Sequence, residues 1–202
     1  MKKKTLLTVL ISILLSSAAF SQFGFKGGFA FGKPVNDGGG GGDMHLGFDL
    51  GVTYDITESI RGEVLFEGLF NKTDLGPYLY LGPYGEITTT TQHKTTRIFP
   101  ITVGADYRFL TGMVQPYAGL NLGIVSIGSK SGNNTAGESH FGLYPKAGVN
   151  IEVADNLLID VAIKYYVVFD KPNDNDIPSN STVEYSNTQI FGANIGLIYV
   201  LR

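Results

Sequence analysis

The chain has 202 residues, no cysteine and a formal charge of −3, so it relies on neither disulfides nor a thiolate metal site and has no basic excess to hold nucleic acid. Its length suits one domain, and 27 glycines with 13 phenylalanines and 11 tyrosines against only 16% charged residues are a cue for an all-β barrel. Beyond residue 21 no stretch approaches about eighteen consecutive apolar residues, so a membrane-embedded chain has to cross with strands.

The chain opens with Lys2, Lys3 and Lys4, followed by an apolar run from Thr5 to Phe20 and small residues at Ala19 and Ser21. This is the three-part pattern of a secretory signal, with cleavage expected between Ser21 and Gln22. An uncleaved anchor helix is the alternative, but the run is short for a span of about 20 residues. The expected organisation is therefore a signal peptide over 1–21 and one domain over 22–202. Losing three lysines and no acids moves the charge from −3 to −6.

Eight segments then alternate with a period of two. Phe23 to Phe31 puts Phe23, Phe25, Phe29 and Phe31 against Gly24, Lys26, Gly28 and Ala30. Met44 to Tyr54 sets Leu46, Phe48, Leu50 and Val52 against His45, Asp49 and Thr53. Ile60 to Phe70 places Val64 and Phe66 opposite Arg61, Glu63 and Glu67, although Leu65 and Leu69 fall on the polar side. The fourth segment, Thr95 to Phe109, sets Phe99, Ile101, Val103 and Tyr107 against Thr102, Asp106 and Arg108. Leu120, Leu122 and Ile124 oppose Tyr117 and Asn121 in the fifth, and Val149, Ile151 and Val153 oppose Lys146, Asn150 and Glu152 in the sixth. The seventh opposes Ile159, Val161 and Ile163 to Asp160 and Lys164, and the eighth opposes Ile195, Leu197 and Tyr199 to Asn194 and Gly196.

Segments of about 9–13 residues exceed the usual soluble strand of about 5–6 and match the 9–11 that cross a bilayer at a tilt. Short links at Asp55–Ser59, Leu110–Val114 and Ala154–Asn156 alternate with long ones at Gly32–Asp43, Asn71–Lys94, Gly128–His140 and Asp170–Asn187. Short periplasmic turns and long outer loops are the asymmetry of outer-membrane barrels. The expected fold is an eight-stranded antiparallel up-and-down transmembrane β-barrel, with both termini at the periplasmic end. The polar face carries six acids (Asp49, Glu63, Glu67, Asp106, Glu152, Asp160), five bases (Lys26, Arg61, Arg108, Lys146, Lys164) and many glycines. Small residues between large ones suit the narrow, side-chain-filled interior of such a barrel. The apolar face carries one charge, Arg97, near a strand end.

The stretches Phe23-Gly-Phe-Lys-Gly-Gly-Phe-Ala-Phe31, Gly47-Phe-Asp-Leu-Gly-Val-Thr-Tyr-Asp55, Glu63-Val-Leu-Phe66, Phe99-Pro-Ile101, Gln115-Pro-Tyr-Ala-Gly119 and Lys146-Ala-Gly-Val149 with Ala154-Asp-Asn-Leu157 resemble the outer-membrane β-barrel domain families of the outer-membrane protein A and X type. The version common in Bacteroidetes is especially similar. The C-terminal Asn194-x-Gly196-x-x-Tyr199-x-Leu201 resembles the pattern read by the barrel assembly machinery, with Leu201 in place of the final aromatic and Arg202 trailing. The resemblance implies location in the Gram-negative outer membrane, contact with its lipid, and adhesion, membrane-stability or uncharacterised roles.

For function, the residues rank a structural or surface-interaction barrel first, a narrow pore for small solutes second and a lipid-modifying enzyme last. Glu138, Ser139 and His140 are adjacent in sequence, where side chains on a strand point apart, so no catalytic residues are assigned. His45 is read as one of an internal polar network with Asp49. No cofactor or metal ligand set is assigned: the acidic stretch Asp170, Asp174 and Asp176 lacks the closing Glu of a calcium loop, and Gly38–Gly42 lacks the lysine of a phosphate loop. Tyr78-Leu-Tyr80-Leu81 and Glu86-Ile-Thr-Thr-Thr-Thr91 flank the turn Gly82-Pro-Tyr84-Gly85. Strands three and four are therefore expected to extend beyond the membrane as a ribbon. Tyr78, Tyr80 and Tyr84 are its candidate contacts for an extracellular protein or surface ligand.

Overall fold

A computed structural model describes residues 22–35, 43–81, 86–131, 134–169 and 187–201. The proposed signal peptide and its cleavage point lie outside the described residues. So do the glycine run Gly38–Gly42, the acidic stretch from Asp170 to Asp176, and Tyr84.

Eight strands follow in order: β1 (Phe23–Pro34), β2 (His45–Asp55), β3 (Ile60–Leu81), β4 (Ile87–Arg108), β5 (Val114–Ser131), β6 (Asn134–Ala154), β7 (Leu157–Phe169) and β8 (Thr188–Leu201). Each pairs antiparallel with its chain neighbour, and β1 pairs with β8 from Phe23↔Leu201 to Pro34↔Ile190, closing the barrel. Closure pairs the strand edges that hydrocarbon has no means of satisfying. Among the described residues no helix is long and apolar enough to cross a membrane.

The β2–β3 turn shows how one short connection is made. The Thr57 hydroxyl accepts the amide protons of Ser59 (3.3 Å) and Ile60 (3.0 Å), and the Ile56 amide donates to the Ile60 carbonyl at 2.9 Å. The opposite end differs from the expected loops. The ranges 71–94 and 128–140 are mostly strand: β3 and β4 reach 22 residues each, β5 reaches 18 and β6 reaches 21. Thr, Ser and Gly in these ranges have no apolar alternation, yet the ladder continues because each hairpin satisfies its own backbone. A bulge between Asp74 and Pro77, with Gly76 at φ +85°, marks the point where the β3–β4 register shifts.

The two faces separate as the alternation predicts. Phe29 is 71% exposed and faces outward, whereas Asp49 is 0% exposed and faces the lumen. Lys26, Arg61, Glu63, Glu67, Asp106, Arg108, Lys146, Asp160 and Lys164 are also buried inside, and Glu152 is half-buried at the rim. Glycines let the wall approach this contents: a Cβ on Gly47 would stand 1.7 Å from the Gly68 carbonyl oxygen, and one on Gly119 would stand 2.0 Å from Asp106 Oδ1.

Candidate functional site

The lumen is layered. At the mouth on the side of the short turns Asp55 receives Arg61 Nε (2.6 Å) and Nη2 (3.2 Å) together with Arg108 Nη1 (3.3 Å), while Arg108 Nη2 donates to the Thr57 carbonyl at 3.0 Å. These side chains line a mouth cavity of about 350 Å³ that also includes Gln115 and Glu152. Its arginines come from the ends of β3 and β4, which the short turns bring together.

Above the mouth lies the charged middle. Lys146 Nζ donates to Glu63 (2.6 Å) and Asp106 (3.0 Å), and Asn121 adds a second bond to Glu63 at 2.6 Å. Lys26 Nζ stands 2.6 Å from Asp160, which also accepts from the Tyr117 hydroxyl (2.7 Å) and Asn194 Nδ2 (2.8 Å). Glu67 receives both Lys164 and the Tyr166 hydroxyl. Asp49 is the exception: Lys26 is 3.9 Å away, and neither carboxylate oxygen has a hydrogen-bond partner among the described residues. Pairing across the lumen is what makes these charges tolerable at such burial.

The third layer is apolar and was not expected. Leu65, Leu69, Ile98, Val125, Val168 and Ile190 form a buried cluster with Ala30, Tyr144 and Tyr166. The two tyrosine rings lie 4.6 Å apart, and the Tyr144 hydroxyl meets Thr102 at 3.0 Å. The only trace of this layer in the sequence is a set of branched residues on the otherwise polar face, of which Leu65 and Leu69 are the plainest. Alternation alone reads them as irregularities, because residues on separate strands do not show that they meet.

The candidate residues named from sequence fall as follows. His45 is buried at the outer rim on the same face as Asp49, with Nδ1 donating to the Asp43 carbonyl at 3.1 Å. His140 Nε2 is 3.4 Å from Glu138, while Ser139 faces the other way and bonds the Ser126 hydroxyl at 2.8 Å. Those three are therefore not a converging set. His93 and Asp74 pair across β3 and β4 on the outer side. Tyr78 and Tyr80 lie in the β3 ladder opposite Thr90 and Thr88. Among the described residues no three His, Cys, Asp or Glu side chains are gathered as metal ligands.

The sequence matches the family described as outer membrane protein beta-barrel domain over residues 5–197. No curated protein matches it. Among solved structures it is similar to Neisserial surface protein A (TM-score 0.60, 16% identity, covering 88% of this chain and 96% of that one). It is also similar to Ail, the attachment invasion locus protein of Yersinia pestis, in complex with the heparin analogue sucrose octasulfate (0.59, 15%, 90% and 99%). OprG from Pseudomonas aeruginosa is a third (0.53, 16%, 90% and 96%). At these identities the likeness is one of fold.

Proposed function

The chain belongs to the outer membrane protein beta-barrel domain family, and from that premise we propose that it serves at the cell surface as a sealed barrel whose extracellular ribbons engage a partner. The carrying observation is the uneven strand length. β1, β2, β7 and β8 have 11–14 residues, about what a tilted crossing needs, whereas β3 to β6 have 18–22. The surplus of about eleven residues in each of β3 and β4 carries their hairpin about 28 Å beyond the bilayer, at about 3.3 Å per residue and a tilt near 40°, whereas the β5–β6 hairpin, whose Ser131 pairs with Lys94 partway along β4, projects less far. With the lumen occupied by paired charges and an apolar layer, what the barrel offers to molecules outside the membrane is on these ribbons. Tyr78 and Tyr80 belong to the longer one.

Ail is crystallised with a sulfated sugar, so sulfated polysaccharide is a reasonable first ligand class to try here, beside immobilised glycoproteins. The test compares the refolded chain with a variant in which residues 75–90 are replaced by a two-residue turn, both in the same nanodiscs. Binding that disappears with the trimmed ribbon, while the barrel keeps its heat-modifiable mobility on gels, supports the reading. Equal binding by both proteins, or none by either, refutes it.

A narrow pathway for small solutes is the second reading, favoured by buried lumen oxygens without partners on Asp49, Asn121, Asn150 and Asn194. Step conductance in planar bilayers would support it over the sealed barrel. Neither reading involves catalysis.

A further inference from the structure

The outward face of β3–β6 changes character in successive rows across the strands. The lowest is apolar: Phe66, Ile101, Ile124 and Phe141 are register partners in turn. One row higher, Phe99 is followed by the bonded hydroxyls of Ser126 and Ser139. Next comes Phe70–Arg97–Gly128–Gly137, and above it Lys72–Thr95–Lys130. Lys72, Arg97 and Lys130 are all exposed. The nearby acids are Asp74, which contacts His93, and Glu138, whose carboxylate is 3.4 Å from His140 Nε2.

A groove of about 400 Å³ runs through these rows, bounded by Arg97, Phe99, Ser126, Ser139, Lys130 and the acid Glu138 and floored by Gly128 and Gly137. Those two glycines are not demanded by packing. A Cβ on Gly128 would meet its nearest atom at 3.6 Å and one on Gly137 at 3.5 Å, both ordinary contacts, so larger residues would fit and would fill the groove.

The height of the groove is set by β4. Arg97 is ten residues above Tyr107, whose ring packs on Phe109 at the periplasmic end. Ten residues at about 3.3 Å and a tilt near 40° rise about 25 Å, the height of the apolar band of such barrels. Arg97 thus stands at the outer-leaflet interface, with apolar wall below and cations above.

We infer that this groove binds a phosphate-bearing lipid of the outer leaflet, its acyl chains against Phe99, Ile101 and Phe141 and its phosphate among Arg97, Lys130 and Lys72. The amphiphile is the occupant because the rows reproduce its polarity in order, and a phosphate because Arg97 and Lys130 line the groove with Lys72 exposed in the row above Arg97, three cations against one lining carboxylate, Glu138. Guanidinium and hydroxyl donors beside each other suit phosphate oxygens. The inference rests on the membrane orientation used above, not on any ribbon partner.

The test measures lipid retained by the refolded full chain in detergent by native mass spectrometry. The probes are bisphosphorylated lipid A, its dephosphorylated form with the same acyl chains, and inorganic phosphate as competitor. Bisphosphorylated lipid A should be retained about tenfold better than the dephosphorylated form, and inorganic phosphate at millimolar concentration should not displace it. The double variant Arg97→Gln/Lys130→Gln should lose that preference. Gly137→Leu, which keeps every charge, should reduce retention of both lipids. Equal retention of the two lipids, displacement by inorganic phosphate, or unchanged retention in both variants would each overturn the assignment. Heat-modifiable mobility shows that each variant is folded, and ribbon binding measured in parallel separates failure of this site from failure of the surface reading.

Discussion

Replacing Lys146 by methionine tests whether paired charges hold the middle of the barrel. Lys146 is 4% exposed and bridges Glu63 at 2.6 Å and Asp106 at 3.0 Å, both of them buried. Methionine keeps the volume of the stem but removes the ammonium, leaving two carboxylates facing one another in the lumen. Glu63 retains only its bond from Asn121. Removing one partner of a buried ion pair costs about 3–5 kcal/mol, because the remaining charge keeps its desolvation penalty. Two carboxylates are stranded here, so the upper part of that range is expected. The triple variant Lys146→Met/Glu63→Gln/Asp106→Asn removes the charges together and should recover most of the loss. The chain has no tryptophan, so unfolding in guanidinium is followed by circular dichroism and by the fraction with folded mobility on unheated gels, under conditions where folding and unfolding curves coincide. A single variant within about 0.5 kcal/mol of the parent would refute the argument, since it would mean that lumen water solvates these carboxylates well enough. A triple variant no more stable than the single one would refute it as well.

Other positions give independent checks. Gly47→Val should abolish the folded gel form, because its Cβ would stand 1.7 Å from the Gly68 carbonyl oxygen, while Gly62→Ala, whose nearest contact would be 3.6 Å, should fold like the parent. Leu69→Ala in the apolar layer should cost about 2–5 kcal/mol in the same denaturation assay, although Leu69 lies on the predominantly polar face. Val103→Arg, outward and between the levels of Tyr107 and Arg97, should cost about 2–4 kcal/mol in lipid vesicles, while Arg97→Gln at the interface should leave stability within about 1 kcal/mol. Equal effects at positions 97 and 103 would show that the bilayer has been placed at the wrong height.

Much of this was legible in the residues themselves. Lys26, Asp49, Glu63, Asp106 and Asp160 alternate with bulky apolar neighbours, and alternation is a local property that pleating turns directly into two faces. The charge at Arg97 was legible too, as the one exception on the apolar face. Its surroundings were not: Lys72, Lys130 and the glycine floor come from three different strands and become neighbours only through register. The lengths of β3 to β6 were underread for a related reason. Their outer halves, rich in Thr, Ser and Gly, have no apolar alternation in the sequence, although each continues the ladder with its hairpin partner.

Composition, alternation and turn spacing by themselves determined that eight strands form and that each has one charged and one apolar face. Closure decided what those faces meet. Lys146 reaches Glu63 across 83 residues of sequence, and Tyr166 reaches Glu67 across 99, because strands that never pair face one another over a narrow lumen. Contacts of that kind depend on the diameter and stagger of the closed sheet, which no single strand encodes. The same dependence places Leu65, Leu69, Ile98 and Val168 in one apolar layer, and gathers the cations of the outer groove in two adjacent rows.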